Sequence, residues 1–123
     1  MLNIDQIREY CLNKKAATEG FPFDTNTLVF KVLNKMFVLA PLEKWERGEA
    51  TITLKCNPEY TLDLRDTYES IYAGPYLNNK HWNTISIYKG ELPPKFVLEL
   101  IDHSYDMVVK GMTKKMREEL NNL

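Results

Sequence analysis

Cysteine is scarce in this 123-residue chain, and the two that occur, Cys11 and Cys56, have no CxxC spacing. A disulfide framework or zinc site is therefore not expected, and free thiols of a reducing compartment are the simpler reading. Histidine is equally sparse: His81 and His103 are the only two, and neither has a second His or Cys at ligand spacing. No bound metal or cofactor is expected. The five glycines, Gly20, Gly48, Gly74, Gly90 and Gly111, match neither GxGxxG nor a Walker-type phosphate loop. Long apolar runs are missing too, with nothing near the ~20 residues needed to span a bilayer. The opening MLNIDQIREY is amphipathic and acidic, unlike a signal peptide, so a cytoplasmic protein with no membrane partner is expected. Charge of one sign is also lacking. Sixteen Lys+Arg against 17 Asp+Glu leave a net charge of -1, which gives no global field favouring nucleic acid or an anionic membrane. There is no internal repeat and no low-complexity tract.

What is there is ordinary globular composition, 44% hydrophobic and 27% charged, in a length suited to one domain, residues 1–123, with one modest core. Residues 3–14 read as a helix: Asn3 is a cap, Gln6 its capping-box partner, and Leu2 and Ile7 are placed for a hydrophobic staple. Residues KKAATEGFPFD then read as a loop. TLVFKVLNKMFVLAPL alternates like a hairpin. A turn at Asn34-Lys35 would set Val32 opposite Phe37 and Phe30 opposite Leu39. EKWERGEA reads as a polar connection. TITLKC is a third strand, with Ile52, Leu54 and Cys56 inward. Asn57-Pro58-Glu59 has the cap, first-turn proline and acid of a helix start, and that helix runs to about Tyr68. NTISIY is a further strand, turned by Lys89-Gly90. The longest helix covers about 95–110 with the stripe Val97, Ile101, Tyr105, Val108 and Met112. Gly111 suits its C-cap, and Thr113 caps a short last helix, KKMREEL. The order is roughly α-β-β-β-α-β-α-α, with room for one more short strand near 71–77. This predicts an α+β, two-layer fold, its antiparallel sheet covered by helices on one face.

No catalytic constellation emerges. In His103-Ser104-Tyr105, neighbouring helical residues do not face each other, so His103 cannot serve Ser104 as a base; Ser104 and Tyr105 belong to the packed stripe, with His103 beside it. The same facing rule removes His103 with Asp102 or Asp106, which also lack a nucleophile. A non-enzymatic chain is expected. The stretch YLNNKHWNTISIY (76–88) concentrates hydrogen-bonding and aromatic groups in front of a strand. One reading is structural: Asn78 and Asn79 make turns, and Trp82 covers the sheet end. The other is a recognition surface, with donors for phosphate oxygens and an aromatic plane for a base or sugar.

Taken together, DTNTLVFKVLNKMFVLAPL, ITLKCNPE, YLNNKHWNTISI and LIDHSYDMVV resemble the MmcQ/YjbR family of small bacterial proteins. FPF at 21–23, LKC followed by Pro58 and Glu59, and NKHWN at 79–83 carry the resemblance most specifically, and it extends over nearly the whole chain. The turn at Leu33-Asn34-Lys35 departs from it in lacking a glycine. The resemblance implies a CyaY-like fold, a cytoplasmic location, no established enzymatic activity, and DNA binding through a double wing of β-hairpins.

A wing needs cations or donors at its tip and exposed face. The candidates are Lys31, Lys35 and Lys55, then Asn79, Lys80, His81, Trp82 and Asn83. If the four lysines converge, weak backbone-dominated contact is expected, on the order of 10⁻⁴–10⁻⁶ M at physiological salt. Two alternatives remain. One is a protein-interaction adaptor, or a homodimer, using an apolar patch of Val29, Met36 and Val38 on the uncovered sheet face. The other is a small-molecule site around Tyr76, Asn79, His81, Trp82 and Asn83, joined by His103 or Lys55.

Overall fold

The computed structural model describes residues 1–75 and 77–123. Among them, α1 (Ile4–Leu12) is followed by β1 (Ala17–Gly20), β2 (Thr27–Val32), β3 (Lys35–Pro41), α2 (Leu42–Glu46), β4 (Thr51–Lys55), α3 (Pro58–Thr67), β5 (Ile71–Tyr72) and β6 (Trp82–Ser86). A 3-10 turn (Ile87–Lys89), α4 (Pro94–Lys110) and α5 (Lys114–Asn121) complete the chain. The six strands form one antiparallel sheet in the order β1-β2-β3-β4-β6-β5. The fold is α+β, as the sequence predicts.

Local signals act where the sequence places them. Asn3 and Gln6 form the reciprocal capping box of α1. Asn57 caps α3 by accepting from the Glu59 and Tyr60 amides, with Pro58 in the first turn. Thr113 caps α5 through the Met116 amide. Strand alternation then sends Phe30, Val32, Ile52, Leu54 and Ile85 to one face, where Ile7 and Cys11 of α1 and Val97, Ile101 and Val108 of α4 close over them. Burying such side chains supplies about 25 cal/mol per Å² of apolar surface. Cys11 and Cys56 are both buried free thiols, and burial pushes the Cys11 thiol up to about 12. α1 is tied to α4 where the Tyr10 hydroxyl donates to the Asp102 carboxylate at 2.7 Å and Lys14 pairs with the same group.

Three expectations are corrected. Ala17–Gly20 is not loop but an edge strand on β2, running from Ala17↔Val32 to Gly20↔Val29. EKWERGEA contains helix α2, held by tertiary bonds: Asn26 takes the Leu42 and Glu43 amides, and the Trp45 indole donates to the Thr51 carbonyl at 3.0 Å. Gly111 is the C-cap of α4, as the sequence predicts, but in right-handed conformation, φ -80°.

The third correction concerns the hairpin. Its turn is Leu33-Asn34, with φ 44° and 69°, rather than Asn34-Lys35. Two positive φ angles match the twist of the flanking strands, and the asparagine suits them better than the leucine. Lys35 therefore opens β3, opposite Val32. The register then slips between Lys31↔Met36 and Phe30↔Val38, leaving Phe37 as the extra residue of a β-bulge. The bulge turns Val38 into the core beside Phe37, both fully buried, so Val38 is not on the uncovered face. It also separates β3 from β4, whose ladder is reduced to Val38↔Leu54 and Leu39↔Thr53. Ser104 of α4 fills the break: its hydroxyl accepts from the Lys55 amide at 2.9 Å and donates to the Phe37 carbonyl at 2.6 Å.

Candidate nucleic-acid interface

The residues 79–83 divide by strand parity. β6 pairs with β4 as Leu54↔Asn83 and Lys55↔Trp82. Asn83 thus shares the core face with Leu54, and Trp82 the open face with Lys55. Asn83 is buried and fully engaged: its Oδ1 accepts from Arg65 Nε at 2.7 Å and its amide donates to Thr61 Oγ1 at 3.3 Å. It is a structural residue and is removed from the candidate contact set. Arg65 also donates to the Asn79 and Trp82 carbonyls. One guanidinium of α3 therefore binds three acceptors of the loop and fixes its path.

The rest of the loop is similarly self-consistent. Asn78 Oδ1 accepts from the Lys80 amide at 2.8 Å, an Asx turn. The Asn79 side-chain amide, with its nitrogen as donor, reaches the Leu77 and Gly74 carbonyls at 3.2 and 3.1 Å. The His81 carbonyl accepts from the Cys56 amide at 2.7 Å, so His81 continues the β4–β6 edge. Tyr76 lies outside the described residues. The space between Asn83, Cys56 and His103 is about 10 Å³, enough for roughly one water. That volume gives the small-molecule alternative no room on this side of the loop. His103 itself accepts from the Asn57 amide through Nε2 at 3.2 Å, with the Tyr60 ring edge-on at 5.3 Å. Burial depresses its pKa, partly opposed by the Asp106 carboxylate. Among the described residues every buried side-chain nitrogen and oxygen has a partner.

On the other side of the sheet's end the picture changes. Beside the bulge lies a depression of about 340 Å³, lined by Asn34, Lys35, Met36, Lys55 and Trp82 together with Val108 of α4 and its C-cap Gly111. Lys35 and Lys55 take no part in the four ion pairs of the described residues. Lys31 does not join them. It lines a neighbouring hollow with Val29, Phe21 and Glu19, on the far side of Asn34. Lys80 is exposed on the Asx turn and lines neither. So the structure brings together Lys35, Lys55 and Trp82, sets Lys31 beside them, and engages the side chains of Asn79 and Asn83 and the backbone of His81 in the loop's own architecture. Arg65 and Gly111 were missed as site-shaping residues. Arg65 is legible only as a helical position, and Gly111 only as a cap.

The open sheet face is a groove of about 430 Å³ rather than a flat apolar patch. Leu39, Thr53 and Thr84 of the strands line it together with Phe23, Pro75 and Leu77. Gly74 lies close against the strand: a Cβ there would lie 2.1 Å from Thr84 Oγ1.

Against known proteins, a family model described as YjbR matches residues 12–107. The chain belongs to the YjbR family. It is 36% identical over 96 residues to Escherichia coli O157:H7 YbdF, covering 77% of this chain and 75% of that protein. It is 26% identical over 122 residues to YjbR of the same organism, covering 99% and 100% respectively. Both relatives are described as uncharacterised. The crystal structure of Deinococcus radiodurans DR2400 superposes with a TM-score of 0.87 at 38% identity, over 98% of this chain and 89% of that one. A Pseudomonas syringae protein shares the fold at TM-score 0.70 and 24% identity, over 87% and 99%. No described helix is long and apolar enough to cross a membrane. Among the described residues no group of three or more His, Cys, Asp or Glu is arranged to hold a metal ion.

Proposed function

We propose that this YjbR-family chain is a non-enzymatic module that binds nucleic acid through the sugar-phosphate backbone, using the sheet corner at Lys35, Lys55 and Trp82. The observation that carries the reading is the meeting of two lysines outside any ion pair with a half-buried tryptophan in one depression. Lysines supply phosphate contacts that are sequence-independent and salt-sensitive. The net charge of -1 contributes no long-range attraction, so the corner acts locally. Arginine, the usual reader of guanine, is absent from the corner's lining, in keeping with contact that does not read sequence.

The test is equilibrium binding of labelled DNA oligonucleotides at two salt concentrations. Dissociation constants on the order of 10⁻⁴–10⁻⁶ M at physiological salt are expected, tightening as salt is lowered. Replacing Lys35 and Lys55 together by Gln should flatten the log–log salt slope by about two, one per lysine. Absence of binding to any nucleic acid at low salt would overturn the reading.

A second reading is favoured by the groove under Phe23. Its size and apolar lining suit an apolar segment of a protein partner laid across the open face. Phe23→Ser would weaken such a complex and leave the salt-dependent binding above unchanged.

A further inference from the structure

The β3 bulge and the end of α4 make an open depression in which apolar and cationic side chains meet. Met36, Trp82, Lys35 and Lys55 line it together, with Gly111 and the almost wholly buried Val108 beside them. A duplex keeps its base faces stacked inside and offers only edges and phosphates. Such a contact would use the lysines and leave Met36 and Trp82 uncovered. An unpaired nucleotide presents both parts at once, a flat apolar face and a phosphate.

Gly111 supplies a second, independent observation. Its backbone, φ -80° and ψ -4°, is ordinary right-handed helix, so nothing conformational requires a glycine. A Cβ built there would make only ordinary contacts, with the Met107 and Val108 carbonyls at 3.5 and 3.6 Å and Lys55 Nζ at 4.0 Å. Gly111 therefore brings the end of α4 within reach of Lys55 with no side chain between them.

We propose that this depression takes a single unpaired nucleobase against Trp82, so that the chain's nucleic-acid target is a single strand rather than a duplex; the proposal rests on the backbone-binding reading above. The base enters over Gly111 and packs on Trp82 and Met36. Its flanking phosphates meet Lys35 and Lys55. Stacking on an aromatic ring tolerates any base, so the preference is for strandedness and not for sequence.

The experiment titrates ¹⁵N-labelled protein with one oligonucleotide of roughly ten residues, within the usual range of single-strand site sizes. The same sequence as a duplex, and heparin as a polyanion without bases, are run in parallel. The single strand should bind about tenfold tighter than the duplex at equal salt, the equivalent of one base stack. The indole N–H resonance of Trp82 should move while that of Trp45, bonded to the Thr51 carbonyl, stays in place. Gly111→Leu, which fills the depression without backbone strain, should abolish the preference and keep the charge-driven binding. Trp82→Phe should retain part of it, and a folded Trp82→Ala none. Equal affinity for strand, duplex and heparin with a stationary Trp82 indole would overturn the proposal and leave backbone binding intact. Binding to none of the three would remove both.

Discussion

Asn83 and Trp82 are adjacent in sequence and opposite in role. Asn83 turns toward α3, where Arg65 and Thr61 use its amide on both sides. Trp82 turns away, toward a depression it shares with two lysines that form no ion pair. A single pleat thus separates a closed corner from an open one. Polar groups in the closed corner are consumed by the fold, whose buried amides and carbonyls must be paired. Those in the open corner have no such duty. A cluster of polar residues in sequence is therefore poor evidence of a binding site until strand parity has sorted it.

The largest effect should come from breaking the closed corner. Arg65→Ala removes three hydrogen bonds and strands the buried Asn83 carbonyl oxygen. Leaving a buried acceptor unsatisfied costs about 1–3 kcal/mol, and bonds to a charged donor add to that. We expect a loss of about 2–4 kcal/mol in urea unfolding, together with faster amide exchange across residues 78–83. Arg65→Lys should recover little, since an ammonium on a flexible stem does not reproduce the planar fork. A loss below about 0.5 kcal/mol would mean the loop holds itself, and the contrast with Trp82 would fail.

Ser104→Ala comes next. It strands the Phe37 carbonyl and the Lys55 amide at the bulge. A cost of about 1–3 kcal/mol is expected, with the Lys55 amide losing exchange protection. This variant also probes the seam from which the open corner is built. If the depression depends on the bulge, nucleic-acid binding should weaken more than stability alone explains.

How much of this was legible follows from where each element gets its order. α1, α3 and α5 begin at side-chain caps that the chain carries within one turn, and α4 shows a plain apolar stripe, so all four could be read directly. β1 could not. Ala17–Gly20 contains no β-branched residue but Thr18, and it is a strand because β2 offers it a free edge. α2 has no side-chain cap of its own and depends on Asn26, sixteen residues before it, and on Thr51 of the next strand. The bulge was hidden because Met36 to Ala40 is apolar at every position, so a one-residue slip leaves the pattern acceptable. The open corner was legible only as a set of residue types. Which lysines meet Trp82 is decided by the bulge, and that is why Lys31 proved to be a neighbour and not a member.

A smaller effect separates the corners by pH. His103 accepts from the Asn57 amide at the start of α3, the helix that carries Arg65. Burial holds its pKa below the usual 6.5, so the folded chain favours the neutral ring. The unfolded chain takes up the proton at higher pH. Stability is therefore full above the ordinary histidine range, falls as pH drops through it, and levels off below the folded-state value. Asp24 and Glu91, whose pKa values are lowered by hydrogen bonds, act only further down, in the carboxylate range. The urea midpoint should fall between pH 7.5 and 5.5, and His103→Gln, which keeps an acceptor for Asn57, should flatten the profile. An unchanged slope in that variant would assign the titration elsewhere.

The smallest stability effect should be at the open corner itself. Lys35 is exposed at the hairpin tip. Lys55 is held by its backbone amide, not by its ammonium, which lies near Gly111 without an ion pair. Glutamine at either position keeps much of the aliphatic stem that packs on neighbouring apolar surface. Lys35→Gln and Lys55→Gln should therefore each change unfolding free energy by no more than about 0.5 kcal/mol, while each lowers the salt dependence of nucleic-acid binding by about one unit of slope. That pairing is what distinguishes a contact surface from a scaffold. If either substitution costs 2 kcal/mol or more, its lysine is doing for β3 or β4 what Arg65 does for the loop, and the two sides of the pleat would then differ in degree and not in kind.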